Sequence, residues 1–257
     1  MNVYDAMAPH FDRQRALPDG VADAIRAAIL RTAAVPRPRV LDLGAGSGRI
    51  GRSFVHADDD YFGVDLSLGM LRSFARQVRR AALVQADGAR LPFGGGAFDV
   101  VLLVQVLSGA RGWPALLGEV IRVLRPNGML MVGRVVAPDD GVDAQMKTRL
   151  AVILDAMAIH PYRDKPRDDA LAWLAREMPD PAVVVVASWT ETRRPGAFLE
   201  RHAQGARFSV LPEPVRWNAM RDLAAWAVDT FGSLDADCPE GRRFELTIHH
   251  RPKGTTP

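Results

Sequence analysis

The nine residues Val40-Leu-Asp-Leu-Gly-Ala-Gly-Ser-Gly48 constrain the fold of this chain more than any other segment. The first four make a short apolar run broken by one acid, which suits a strand buried on both faces. Glycines at 44, 46 and 48 follow at once. Without a Cβ, Gly44 and Gly46 let the backbone approach a ligand, and Gly48 allows close packing where a helix begins at about Arg49. A strand that empties through a glycine turn into a helix starts a βαβ unit. The free N–H groups of that helix's first turn suit an anionic group.

The pattern continues downstream. Strands are expected at Val40–Leu43, Tyr61–Val64, Leu83–Gln85, Phe98–Val104 and Met129–Val136. Between them, Ser67 caps a helix with the stripe Leu71, Phe74, Ala75 and Val78. Pro114 opens another helix that buries Leu117, Val120, Ile121 and Leu124, and Pro126-Asn127-Gly128 turns the chain into the fifth strand. Alternating strands and helices predict an α/β fold, a parallel sheet covered on both faces. Residues 18–33 add a helix at the start, ended by Pro36 and Pro38.

After about residue 137 the alternation breaks. Helices are expected at 142–158, 167–178 and 214–231, the last with the stripe Met220, Leu223, Ala224, Ala227, Val228 and Phe231. Ala182–Ser188 and Phe244–His250 read as two further strands. The organisation expected is one domain. Residues 1–38 form an N-terminal helical segment and 39–136 a ligand-binding core. Residues 137–181 form a helical insertion, 182–188 a core strand, 189–242 a helical cap insertion, and 243–257 the last strand and tail.

Composition narrows the class. With 48% apolar and 25% charged residues among 257, the chain is globular rather than disordered. No apolar run is long enough for a bilayer span. Residues 1–10 lack a basic start followed by an apolar stretch, and Cys238 is the single cysteine, so a reduced cytoplasmic location is expected with no internal disulfide or cysteine-cluster metal site. The net charge is +3, and the arginines are scattered rather than gathered on one face, which argues against a nucleic-acid groove.

Four elements fall at strand ends on one side of the predicted sheet. The glycine loop is the first. Asp65 ends the second strand, 21 residues after Gly44, and a carboxylate there matches both hydroxyls of a ribose. Ala86-Asp87-Gly88 follows the third strand, where an acid can accept from an adenine amino group. Leu91-Pro92-Phe93 with Phe98-Asp99 is the fourth. Residues Gly46–Gly51 also match the dinucleotide pattern GxGxxG, but the match begins several residues after the strand, and Asp87 and Phe98-Asp99 have no counterpart in it.

With these motifs the chain resembles class I S-adenosylmethionine-dependent methyltransferases, in the branch similar to ubiquinone/menaquinone biosynthesis methyltransferases. The residues that carry the resemblance are LDLGAGSG (41–48), GVDLS (63–67), QADGARLPF (85–93), FDVV (98–101) and EVIRVLRPNGML (119–130), with Tyr4-Asp5 and Phe11-Asp12 at the start. It covers roughly residues 1–136. The resemblance implies a Rossmann-like, mostly parallel, seven-stranded sheet whose last strand is antiparallel. It implies S-adenosylmethionine as cofactor and S-adenosylhomocysteine as product. Asp42, Gly44, Ala45, Gly46 and Gly48 would surround the methionine part. Asp65 would hold the ribose and Ala86, Asp87 and Gly88 the adenine, bordered by Leu66 and Met70. Gln105 would sit beside the methyl group, and Tyr4 and Phe11 would close over the cofactor. Where many relatives carry a His after the fourth strand, this chain has Gln105-Val106-Leu107-Ser108.

The acceptor has no comparable signature. Gln105 and His10 are the candidates for positioning it. His160, Arg163 and Arg134 could meet an acidic group, Trp113 and Trp217 read as packing residues, and Trp226 lies on the face opposite the α-helical stripe. No metal-ligand spacing occurs, since His249 and His250 point to opposite faces of a strand. The activity expected is methyl transfer to a small molecule. The alternatives are transfer to RNA or protein, or binding of the cofactor without transfer.

Overall fold

A computed structural model of the chain describes residues 16–159, 166–203, 208 and 210–251. The first helix, α1 (Val21–Ala33), buries Val21, Ile25, Ala28, Ile29 and Ala33, a stripe at helical spacing. It stops at Ala34, which adopts a left-handed conformation at φ 54° before the prolines. Then come β1 (Val40–Leu43), α2 (Gly51–His56), β2 (Tyr61–Asp65), α3 (Leu68–Gln77), β3 (Ala82–Gln85), β4 (Phe98–Val104) and α4 (Trp113–Val123). They are followed by β5 (Leu124–Val136), α5 (Val142–Ala156), α6 (Pro166–Glu177), β6 (Ala182–Arg193), α7 (Pro195–Ala203), α8 (Glu213–Phe231) and β7 (Cys238–His250).

The strands form one seven-stranded sheet in the order β3-β2-β1-β4-β5-β7-β6. β1 pairs in parallel with β2 (Val40↔Tyr61) and with β4 (Val40↔Val100), and all four of its residues are buried. The chain winds outward from β1 to β3 and then back through β4 to β5, so the topological switch lies between β1 and β4. β7 runs against β5: Arg251 N donates to Gly128 O at 2.9 Å, and Arg134 pairs with Glu245 at 3.0 Å, so the partners run in opposite sequence order.

Side chains explain the boundaries. Ser67 accepts a hydrogen bond from Met70 N at 3.2 Å and caps α3. That helix buries Met70, Leu71 and Phe74 but ends at Gln77. Ala75 is exposed and Val78 is extended, so the helix stops one residue before the last member of the expected stripe. Pairing of β5 begins earlier than expected. Phe98 faces Leu124, the register then jumps, and Val100 faces Met129. The extra residues bulge outward with Asn127 at φ 65°. Around the sheet, Phe93 meets Phe98 edge to face at 5.0 Å, and Phe62 meets Phe98 at 5.5 Å. On β2, Tyr61 stacks on Phe54 at 5.4 Å and meets Phe74 edge-on at 6.2 Å.

Two compact units divide the chain. One contains the described residues of Met1–Arg134, Lys165–Ala187 and Phe244–Pro257; the other contains those of Val135–Asp164 and Ser188–Arg243. Strands β5, β6 and β7 each pass from one unit into the other along the chain. This differs from the expected insertion 137–181. Ala170, Leu174 and Met178 recur at every fourth residue, are fully buried, and join α6 to the core under β4, β5 and α4. Trp173 lies 6.1 Å from Trp113 in the same layer. α6 is therefore a core helix of the sheet. The second unit has its own core of Val142, Met146, Leu150, Phe198, Ala219, Leu223 and Ala227. On α8 the buried line is Ala219, Leu223 and Ala227, with Met220 and Phe231 packed against it, so the expected stripe holds at Leu223 and Ala227 while Val228 is exposed. Trp217 is consequently 63% exposed under the Arg221 guanidinium rather than in the core. Trp226 is half-buried against Phe231 and Arg149.

Gly48, at φ 86°, has no room for a Cβ, which would lie 2.2 Å from the buried Phe74 ring. Gly48→Ala is expected to cost about 2–5 kcal/mol in urea unfolding, from left-handed strain plus overpacking. Gly118→Ala, on the exposed face of α4 with nothing near its Cβ, should instead add about 0.5–1 kcal/mol. Equal effects at the two sites would contradict this packing.

Candidate active site at the carboxyl edge of the sheet

The carboxyl ends of β1, β2, β3 and β4 bring Gly44, Asp65, Ala86 and Gln105 to one edge of the sheet. In open α/β sheets this edge, at the topological switch, is where ligands bind. The glycine loop starts there. Gly44 N and Ala45 N both donate to Val64 O, at 2.7 and 2.9 Å, which turns the chain away from β1. Gly44, at φ 85°, is exposed, yet a Cβ there would lie 2.4 Å from the Val106 side chain. Gly46 differs: at φ 57° no atom of the described residues stands within 4 Å of where its Cβ would be. Its open face is available to a ligand.

Asp65 organises the loop. One carboxylate oxygen accepts from Gly46 N at 2.8 Å and the other from Ser67 N at 2.8 Å. An ionised carboxylate has about four lone-pair sites, so capacity remains for a ribose diol. The residue is half-buried, and Leu66 beside it is 53% exposed, an apolar surface next to the carboxylate. Across the edge, Ala86 N donates to Asp65 O at 3.1 Å, and exposed Asp87 accepts from Ala89 N at 2.9 Å in a tight turn. Gly88 lies against Leu116, where a Cβ would come within 3.1 Å. An open glycine face, an organised carboxylate and an exposed apolar neighbour fit an adenosyl ligand carrying a charged amino-acid tail.

Three other residues implied by the resemblance are buried. Asp42 is buried, and its Oδ2 accepts from the Tyr61 hydroxyl at 2.7 Å. Met70 is also buried, in the core face of α3. Ala45 is buried within the loop. Leu91 and Phe93 support the site from behind. Leu91 N donates to Glu119 Oε2 at 2.7 Å, and Arg122 donates to Phe93 O at 2.7 Å while pairing with Glu119. Arg134 is paired with Glu245. Tyr4, His10, Phe11, His160 and Arg163 lie outside the described residues.

Two participants were not singled out in the sequence. Tyr61 opens β2 and reaches Asp42 across the β1–β2 pair. Arg49 follows Gly48, and its Nη2 donates to Gln105 Oε1 at 3.2 Å. The GSGR spelling of the loop was the available signal for Arg49.

The Asp42 carboxyl is displaced by its surroundings. Burial pushes it up from its usual 3.8 to about 6, and the Asp65 charge adds to this. The Tyr61 hydrogen bond and the Arg49 charge pull it down. The Tyr61 hydroxyl is itself raised well above 10 by burial and by Asp42. Because the folded value is raised, Asp42 contributes stability that is fully present below about pH 4 and lost as pH rises through about 6. Asp42→Asn keeps an oxygen for Tyr61 and should flatten the fall in unfolding free energy across that window. A slope identical to that of the parent protein would mean that Asp42 titrates normally.

Residues 41–132 match the family model described as "Methyltransferase domain". The chain is 34% identical over 152 residues to a demethylmenaquinone methyltransferase of Parafrankia sp., covering 51% of this chain and 60% of that protein. It is 32% identical over 166 residues to a demethylmenaquinone methyltransferase of Mycolicibacterium gilvum, covering 62% of this chain and 71% of that protein. Against the first of these relatives the chain therefore spans about three-fifths of their length. Among solved structures, one described as a putative type II methyltransferase from Anaeromyxobacter dehalogenans superposes with a TM-score of 0.60 at 17% identity, covering 90% of this chain and 97% of that one. That likeness shows the fold, the Rossmann-like methyltransferase sheet. Taken with the glycine loop and the acid at the end of β2, these matches show that the chain belongs to the class I S-adenosylmethionine-dependent methyltransferase family.

Proposed function

We propose that this protein transfers the methyl group of S-adenosylmethionine to a small-molecule acceptor. The observation that carries this reading is Gly46. It is left-handed, has open space among the described residues where a Cβ would stand, and is tied by its own N–H to the Asp65 carboxylate. The names of the curated relatives support methyl transfer, and those relatives are named for a small acceptor.

In this reading Asp65 accepts hydrogen bonds from the ribose, and Leu66 offers apolar surface to the adenine. Asp87 accepts from the adenine amino group. The glycine loop lets its backbone approach the methionine carboxylate. When bound, the cofactor supplies a methyl group already activated by a positively charged sulfur. The protein's task is then orientation and exclusion of water, and orientation alone can lower a barrier by about 7–11 kcal/mol. Gln105 stands beyond β4 at the switch point and positions the acceptor. His10 is the second proposed positioning residue.

Calorimetric titration with S-adenosylmethionine, S-adenosylhomocysteine and NAD is the direct test. Micromolar binding of the two adenosyl ligands without NAD is expected; binding of NAD alone would assign the glycine loop to a dinucleotide instead. Two variants locate the site. Asp65→Ala should weaken S-adenosylhomocysteine by about tenfold or more, because the ribose loses its charged acceptor. Gly46→Ala should weaken it comparably while costing only about 1–2 kcal/mol of stability, since its Cβ meets no atom of the described residues. Parent-like affinity in both folded variants would move the ligand away from this edge.

A further inference from the structure

Gln105 is the first residue beyond β4 and sits in the left-handed region at φ 58°. A side chain in that region costs roughly 1–2 kcal/mol. Such strain persists where the surroundings over-determine it, and it concentrates at functional sites. Here the surroundings are visible. Gln105 N donates to Gly133 O at 3.3 Å, and the neighbouring Val106 side chain fills the space left by the missing Cβ of Gly44. The ends of β1 and β4 are thereby drawn together at the switch point.

The side chain is held as well as the backbone. Arg49 Nη2 lies 3.2 Å from Gln105 Oε1. A guanidinium carries only donors, so the amide atom facing it has to be the oxygen. The orientation of the amide follows from its partner. Nε2, with its two hydrogens, makes no hydrogen bond among the described residues, and Gln105 is half-buried. The side chain of Gln105 therefore presents its N–H groups away from Arg49.

We propose that Arg49 is a positioning residue that holds Gln105 as a hydrogen-bond donor, so that this corner selects a methyl acceptor with an oxygen at or beside the reacting atom (a phenolate, enolate or carboxylate) over an amine. This rests on the methyl-transfer reading above. An oxyanion has lone pairs to spare: one forms the new bond to carbon and another accepts from Nε2. The electron pair of the breaking carbon–sulfur bond stays on sulfur, and no proton has to leave. An amine spends its one lone pair on the new bond and turns N–H groups toward the N–H groups of Gln105. A hydrogen bond to an ionised oxygen is also the stronger kind.

Benzoate and benzylamine are the probes. Each is titrated into protein saturated with S-adenosylhomocysteine, and the Nε2 signals of Gln105 are followed by nuclear magnetic resonance. Benzoate should move those signals and bind about tenfold or more tightly than benzylamine. Arg49→Met should shift the Gln105 signals before any probe is added and abolish the preference. Gln105→Met should abolish it too; Gln105→Asn, which withdraws the amide by one methylene, is the conservative second variant. Gln105 signals indifferent to Arg49→Met, equal binding of the probes, binding of neither, or a benzoate preference that survives both Gln105 variants would each overturn the proposal. The last result would mean that Arg49 itself holds the anion. Failure to bind S-adenosylhomocysteine would remove the methyl-transfer reading and this selectivity with it. Retained cofactor binding without the preference removes the selectivity alone.

Discussion

The carboxylate of Asp65 is the point on which the rest of the site depends. Its two oxygens take Gly46 N and Ser67 N, so one side chain joins the glycine loop after β1 to the start of α3 after β2. Hydrogen bonds to an ionised acceptor are stronger than neutral ones. They also leave a charge at the sheet edge without leaving it unpartnered. The loop can stay open at Gly46 because it is anchored from below, and α3 can press Phe74 against Gly48 because Ser67 is held as its cap. Binding capacity and local packing thus share one group.

Behind this edge lies a second, drier layer. Asp42 and Tyr61 share a hydrogen bond in full burial, where a lone charge would be costly. Glu119 and Arg122 use a single ion pair to hold Leu91 N and Phe93 O, so a surface helix fixes the loop that leads into β4. Several residues of the family motifs thus serve the backbone around the site and not the ligand. A motif records both kinds of work without separating them.

The second unit is organised by charge. Arg193, Arg201 and Arg242 meet Asp143, Glu191 and Glu240, equal numbers of each sign. Glu240 also accepts from Val142 N at 3.1 Å and so holds the start of α5. Buried ion pairs add little net stability compared with apolar packing. Their directional contacts do fix which strand residues meet which helices, and Arg242 and Glu240 are both nearly fully buried. The distant pairs among them, Arg201–Asp143, Arg242–Asp143 and Arg242–Glu191, leave no local pattern.

The local elements were legible because their causes are local. Periodicity placed α1 and α8 to within a few residues, the glycine loop marked the end of β1, and Ser67 marked the start of α3. Spacing also brought Gly44, Asp65, Ala86 and Gln105 to strand ends, which a parallel sheet must place on one edge. Phase and partnership were decided only in three dimensions. The expected stripe of α8 held at Leu223 and Ala227, but Ala219 joined it while Val228 and Trp217 stayed exposed, because the partner helices and not the helix itself chose the face. α6 became a core helix because Ala170 and Leu174 found the layer beneath α4. Asp42 found Tyr61 as its partner, and Arg49 found Gln105. Sequence determines what each segment can form; tertiary structure decides which buried polar groups meet, because satisfying one in the interior requires a specific partner from elsewhere in the chain.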